Sequence, residues 1–569
     1  MRNIYLLSLS FLIILSLNNV SKAQSFAWAK KMGANSSDEG RAIAVDAAGN
    51  VYTTGYFNGT VDFDPGAGVA NLVSSGSDIF VSKLDAAGNF IWAKKLGGTG
   101  SEYGVSIAVD GSGNVLTTGS FAGTVDFDPG AGTFTISSTV ASVEIFISKL
   151  DAAGNFVWAK SIGSFNSDIS TGIATDATGN VYTTGYFRGT VDFDPGAGTF
   201  TLTETGNSSD IFINKLDASG NFVWAKRIGS GFVSGDIAYG IAVDASGNVL
   251  TTGTFYGTCD FDPGAGTFYL SLPGGGYNIF VSKLDASGNF VWAQAMGGGG
   301  YCEGYAITTD AAGNVYTTGY FTGISDFDPS AGTFTVGSNG MQDAFISKLD
   351  ANGNFVWANG IGGPNNDNGT SITVSPLGNV YTAGSYRGAS DFDPGVGSYS
   401  LTSLGSDDIF ISALNSTGNF MWAASFGASG SDLAKSIAVD GFDNIHTTGS
   451  FGGTVDFDPS VASFNLVSAG SSIDIFVVKL SSTASTISET NITSTILAYP
   501  NPNNGAFTIQ TDIDNNYNVF IYNSIGQLVK HTIHTNDKNE IDLSGFAKGF
   551  YSVVVKAKGN SKSIKIIVE

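Results

Sequence analysis

The sequence predicts an all-β protein in which a four-stranded sheet is repeated seven times and a small separate β-domain follows. Three observations predict it. All seven tryptophans of the 569 residues, Trp28, Trp92, Trp158, Trp224, Trp292, Trp357 and Trp422, fall in one recurring phrase of the type N-F-V-W-A-K, 64 to 68 residues apart. Four short apolar segments recur within each interval, and each segment has seven copies. The repeats open on a lone tryptophan segment, Phe26 to Met32, and close on a lone third segment, Asp474 to Leu480, so the two ends are complementary parts of one unit.

Residues 1–23 come first in the chain. Arg2 precedes an apolar run from Ile4 to Leu17 and a polar stretch ending Val20-Ser21-Lys22-Ala23. This pattern reads as a secretory signal cleaved between Ala23 and Gln24. The run is short for a bilayer span, so the mature chain is expected to carry no transmembrane segment.

Residues 24–481 hold the repeats. The first strand type reads like Ala42-Ile43-Ala44-Val45-Asp46, the second like Asn50-Val51-Tyr52-Thr53-Thr54-Gly55, and the third like Asp78-Ile79-Phe80-Val81-Ser82-Lys83-Leu84; the fourth carries the tryptophan. Short β-branched runs bounded by Gly and Asn are strand signals. Asp46-Ala47-Ala48-Gly49-Asn50 and Asp85-Ala86-Ala87-Gly88-Asn89 join them as tight hairpins, Asp accepting from a nearby backbone N–H and Gly supplying a positive φ. If the N-terminal tryptophan strand completes the last sheet, seven sheets close into a ring and none is left with a raw edge.

Taken together, these phrases resemble the bacterial family of seven-bladed β-propeller repeats. L-D-A-A-G-N-F-V-W-A-K is also similar to the tryptophan-docking motif of quinoprotein dehydrogenases. From that resemblance only a packing role is carried over, with the seven tryptophans as inter-blade residues burying large indole surfaces.

Residues 482–495 are Ser/Thr-rich and read as a linker. Residues 496–569 hold seven Lys against six Asp and Glu (7 − 6 = +1), so the acidity lies in the repeats. Tyr499-Pro500-Asn501-Pro502, Ile521-Tyr522-Asn523-Ser524-Ile525-Gly526-Gln527, Ile541-Asp542-Leu543-Ser544-Gly545 and Gly549-Phe550-Tyr551-Ser552-Val553 resemble the C-terminal sorting domain of the type IX secretion system. The resemblance implies a small Ig-like β-sandwich at 496–569 and the type IX machinery as its partner. It also implies delivery to the cell surface or medium of a Gram-negative bacterium of the Bacteroidetes group. Asn523 stands where that family commonly has Asp.

A formal net charge of −23 excludes nucleic acid as a partner, because phosphate repels such a surface. Fourteen of the acids come from a repeated Asp-Phe-Asp-Pro phrase: Asp62 and Asp64, Asp126 and Asp128, Asp192 and Asp194, Asp260 and Asp262, Asp326 and Asp328, Asp391 and Asp393, Asp456 and Asp458. Each pair sits in an insert between second and third strands, read as a small extra hairpin. Calcium is the one cofactor these carboxylates raise, although two fall short of six oxygen ligands. The other reading is an Asx-type turn in which the second Asp binds backbone N–H groups and the first faces solvent.

Cys259 and Cys302, the only cysteines, fall on the same face and form a candidate disulfide in an exported protein. His446 takes the strand slot of Tyr52 and reads as a packed substitute. No Ser-His-Asp or Cys-His set, His/Cys metal cluster or phosphate loop can be assembled. Paired carboxylates serve glycoside hydrolysis only in unlike environments, whereas these repeat with the same neighbours. The expectation is an exported, non-enzymatic binding, adhesion or display module for a surface protein or glycan. A polysaccharide-acting hydrolase or lyase is the alternative. Uniformity from repeat to repeat points away from any distinctive site.

Overall fold

Each D-x-x-G-N loop closes on its own aspartate. Asp46 Oδ1 accepts from the backbone N–H of Ala48 and Asn50, both at 2.9 Å, while Oδ2 accepts from Asn50 Nδ2 at 2.7 Å and from the Tyr52 hydroxyl at 2.9 Å. Gly49, at φ +81°, occupies the left-handed position that makes the turn possible. These contacts fix the register of the strands on either side.

The computed structural model describes residues 24–482 and 496–568, apart from 140–141, 207, 232–234, 471, 512–516, 524–527, 535, 547 and 558–559. The expected signal at 1–23, including Ala23, and most of the linker, 483–495, lie outside the described residues. The described residues are all-β, without helix.

The repeats form antiparallel four-stranded units. In the first, Glu39–Val45, Val51–Asp62, Asn71–Leu84 and Phe90–Gly98 pair in chain order. The last repeat unit is completed from the other end of the chain: Leu433–Val439 pairs with Ile445–Gly452, that with Ile473–Ser482, and that with Gln24–Met32. Second and third strands are buried on both faces, and a buried hydroxyl pair, Thr53 Oγ1 to Ser82 Oγ at 2.6 Å, links them. Gly55 is required where it stands, because a Cβ there would collide with the Glu39 carbonyl oxygen and crowd the Phe80 ring.

First strands line up side by side. Glu39–Val45 packs against Tyr103–Val109 on one side and Leu433–Val439 on the other, and the intervening first strands each pack on the next. Units are joined at their outer edges by tryptophan. The Trp28 indole N–H donates to the Ala86 carbonyl at 3.3 Å, and Trp92, Trp158, Trp224, Trp292 and Trp357 repeat that bond to Ala152, Ala218, Ala286, Ala351 and Ser416. Trp422 Nε1 is buried with no acceptor among the described residues. The position equivalent to Ala86 is there Ser482, where the repeats end.

Residues 496–568 form two sheets over one apolar core. One contains Ile496–Tyr499, Ala506–Thr511 and Lys538–Asp542; the other contains Leu528–His534, Tyr517–Asn523, Gly549–Ala557 and Asn560–Val568. Phe507, Ile509, Val519, Ile521, Ile541, Val553 and Ile566 are buried between them.

Candidate functional site

The Asp-Phe-Asp-Pro phrase is a clamp. Phe63 is fully buried, edge-on to Phe57 at 5.3 Å and against Phe80 at 5.0 Å. Asp62 Oδ1 accepts from Asp64 N at 3.0 Å and Ala70 N at 2.8 Å, and Asp64 Oδ1 accepts from Gly66 N at 2.8 Å. The same bonds recur at Asp126 and Asp128, Asp192 and Asp194, Asp260 and Asp262, Asp326 and Asp328, Asp391 and Asp393, and Asp456 and Asp458. The expectation that the first Asp simply faces solvent is corrected: it ties the two ends of an eight-residue loop together. Among the described residues no group of three or more His, Cys, Asp or Glu gathers as a metal site.

The candidate disulfide is also corrected. Cys259 and Cys302 are free, buried thiols in different apolar clusters. Cys259 fills the slot of Val61 and Val125 in the insert strand. Cys302 fills the slot of Asp38, and its thiol meets Ser325 Oγ at 3.3 Å. Burial raises both thiols above the ordinary range, which makes them poor nucleophiles.

In the other repeats that slot holds an acid, and it organises the crossover between units. Asp38 accepts from Ala34 N at 2.9 Å and Asn58 N at 2.8 Å; Asp168, Asp236, Asp367 and Asp432 bind their crossovers in the same way. Burial pushes Asp38, Asp168, Asp236 and Asp367 up to about 6, and Glu102 up to about 7. His446 is fully buried with Nε2 3.4 Å from Asp440 Oδ2, the partner a tyrosine hydroxyl takes at Tyr52.

One column that varies from repeat to repeat lies on the first strands. Each first strand has a β-bulge at one position, and the extra residue is Arg41, Val105, Thr171, Tyr239, Tyr305, Thr370 or Lys435. Bulges re-aim a side chain and are frequent beside functional sites. Of these, all but Thr370 line one cavity of about 200 Å³ bounded by all the first strands. Sequence reasoning missed this site by comparing what the repeats share. Aligning them on the Ile-Ala of Ile43-Ala44 exposes the odd column.

The cavity wall has two characters. Glu39 binds Arg41 Nε at 3.2 Å through Oε2 and Lys435 Nζ at 3.0 Å through Oε1. Although burial opposes it, these cations hold the Glu39 carboxyl below its ordinary range. The Arg41 guanidinium also lies over the rings of Tyr56 at 5.0 Å and Tyr103 at 5.2 Å. Elsewhere on the wall, Tyr239 stands edge-on to Tyr305 at 5.2 Å, and Tyr305 leans on Tyr320 at 5.7 Å. Burial, with the Glu303 carboxylate beside them, raises all three phenols. Two threonines serve the joints instead, Thr171 Oγ1 donating to the Ala238 carbonyl at 2.8 Å and Thr370 Oγ1 to that of Ala434 at 2.9 Å.

Comparison with known proteins assigns the two parts of the chain. A family model described as "Secretion system C-terminal sorting domain" matches residues 497–569, and one described as "Beta-propeller repeat" matches residues 27–61 and 356–385. The chain carries β-propeller repeats and a type IX sorting domain. The sorting domain implies a secreted or cell-surface protein of Bacteroidetes-type bacteria that engages the type IX machinery. An uncharacterized WD repeat-containing protein of Acanthamoeba polyphaga mimivirus is 25% identical over 513 residues, covering 76% of this chain and 36% of that protein. The regulatory protein FlaEY of Caulobacter vibrioides is 24% identical over 430 residues, covering 70% of this chain and 42% of that one. The chain thus spans less than half the length of these curated relatives. No helix among the described residues is long and apolar enough to cross a membrane.

Proposed function

We propose that the mature chain is a seven-bladed propeller, closed by its N-terminal strand and exported behind a small Ig-like sandwich, that acts as a non-catalytic binding module through its axial cavity. The ring reading is supported by the pairing of Gln24–Met32 with Ile473–Ser482 and by first strands that each pack on the next back to the start. The binding reading is carried by one observation: the bulged position, constant in geometry, holds Arg41, Val105, Thr171, Tyr239, Tyr305, Thr370 and Lys435 in turn. A structural position repeated for stability would repeat its residue, as the Asp-Phe-Asp-Pro clamp does. Glu39, neutralised by two cations, and His446, buried away from the cavity, favour binding over acid–base chemistry.

The test is a screen of the purified mature chain for binding and for turnover on the same surface glycans and small molecules. Saturable binding without product, lost when Arg41 and Tyr305 are replaced by alanine, is the expected result. Depolymerised polysaccharide would overturn the non-catalytic reading.

A further inference from the structure

The axial cavity is electrically two-sided. On the first and last units, Arg41 and Lys435 share one carboxylate, Glu39, which leaves an excess of one positive charge. The only hydrogen bond of the Arg41 side chain among the described residues uses Nε, so its terminal nitrogens, the part of the guanidinium suited to gripping a carboxylate in a fork, are uncommitted. On the fourth and fifth units, Tyr239 and Tyr305 line the cavity, and Glu303, two residues before Tyr305 on its strand and directly opposite Tyr320, lies beside these phenols. Glu303 has no Lys, Arg or His partner among the described residues. Tyrosine rings set at an angle of 85° to one another, beside a carboxylate with no cationic partner among the described residues, make an environment suited to an alkylammonium group.

In a ring of seven units the fourth and fifth lie across the axis from the seventh and first, so the two characters face each other. The volume, about 200 Å³, is below the roughly 300–1,000 Å³ of drug-sized sites. A net charge of −23 disfavours long polyanions. A small ligand with one group of each sign meets both walls.

Resting on the binding-module reading above, we propose that the axial cavity binds a small zwitterion, an amino acid or short peptide, with its carboxylate at Arg41 and Lys435 and its ammonium at Glu303 among the tyrosines.

Calorimetric titration of the mature chain with a series of straight-chain amino acids from glycine to 6-aminohexanoate, alongside hexanoate and hexylamine, tests this. At least one amino acid of the series is expected to bind with a Kd at or below about 1 mM, and both singly charged compounds about tenfold or more weaker. Arg41→Gln should abolish the advantage of the amino acid over hexylamine, and Glu303→Gln its advantage over hexanoate, with unchanged melting temperatures. If either variant misfolds, the wild-type series decides alone. Hexylamine or hexanoate binding as tightly as the best amino acid would overturn the proposal, as would no heat with any compound. Saturable binding of a glycan or other ligand that is lost when Arg41 and Tyr305 are replaced by alanine, with no heat from any compound of the series, would overturn it while leaving the binding-module reading standing.

Discussion

Single residues show how one repeat repairs a change made in its neighbour. In the sixth unit the usual hairpin aspartate is Ser375, so the buried Tyr381 hydroxyl has no local carboxylate. It donates instead to Asp443 Oδ1 at 2.9 Å, from the next unit, and Asn379 Nδ2 donates to Asp443 Oδ2 at 3.2 Å. Asp443 holds φ at +67° in the slot that Gly49 fills elsewhere, a strained position for a residue with a side chain. Asp443→Gly relieves that strain but removes the acceptor of the buried Tyr381 hydroxyl and one of two acceptors of Asn379 Nδ2. The variant is therefore expected to be less stable by about 1–3 kcal/mol in urea unfolding, and an unchanged midpoint would show that the contacts do no more than offset the strain. No pattern rule reads this exchange from sequence, because Ser375 and Asp443 are each unremarkable until the hairpins of adjacent units are brought together.

At the scale of elements, turn chemistry and tryptophan spacing gave the strands, their pairing and the end-to-end completion of the last unit correctly. The insert phrase was legible as a hairpin, but the partners of its carboxylates were not, since Asp62 reaches eight residues ahead to Ala70. Asp192→Ala removes bonds to Asp194 N and Phe200 N and should cost about 1–2 kcal/mol. Equal loss in EDTA and in millimolar calcium, followed by thermal melting, is the expected result, and a loss confined to calcium would favour the metal reading. The tryptophan seams carry more. Trp224 is buried against the next unit and bonds the Ala286 carbonyl, so Trp224→Ala is expected to lower stability by roughly 3–5 kcal/mol in the same measurement. The bulge column is not legible in the sequence because strand periodicity records which residues are apolar, whereas a bulge is a matter of pairing between strands.

For the molecule as a whole, two sets of carboxylates oppose one another. The crossover acids have folded values raised by burial, Asp38, Asp168, Asp236 and Asp367 to about 6 and Glu102 to about 7, and so does Asp343 at the head of a third strand, to about 7. A raised folded value means the native state holds more protons than the unfolded chain, so this contribution is complete below the ordinary value near 4 and is lost as pH rises through about 6–7. The hairpin acids behave the other way. Asp46, Asp85, Asp110 and Asp176 are lowered by their hydrogen bonds against the opposing effect of burial, so their contribution is lost only as pH falls below about 4. The melting temperature is therefore expected to be highest near pH 4 and to fall as pH rises to about 7. A profile that rises steadily to pH 8 would mean the crossover acids do not govern stability.

Joining Gln24–Met32 to Ile473–Ser482 also sets an order of events. The strand made first must wait for the strand made some 450 residues later, a contact of extreme sequence separation that forms late and slowly. Until then the incomplete last unit presents two unpaired backbone edges, each a template for pairing with another copy. In the propeller reading proposed above, the chain stays an open arc until that contact forms, so whatever delays it leaves the arc exposed to pairing with another copy.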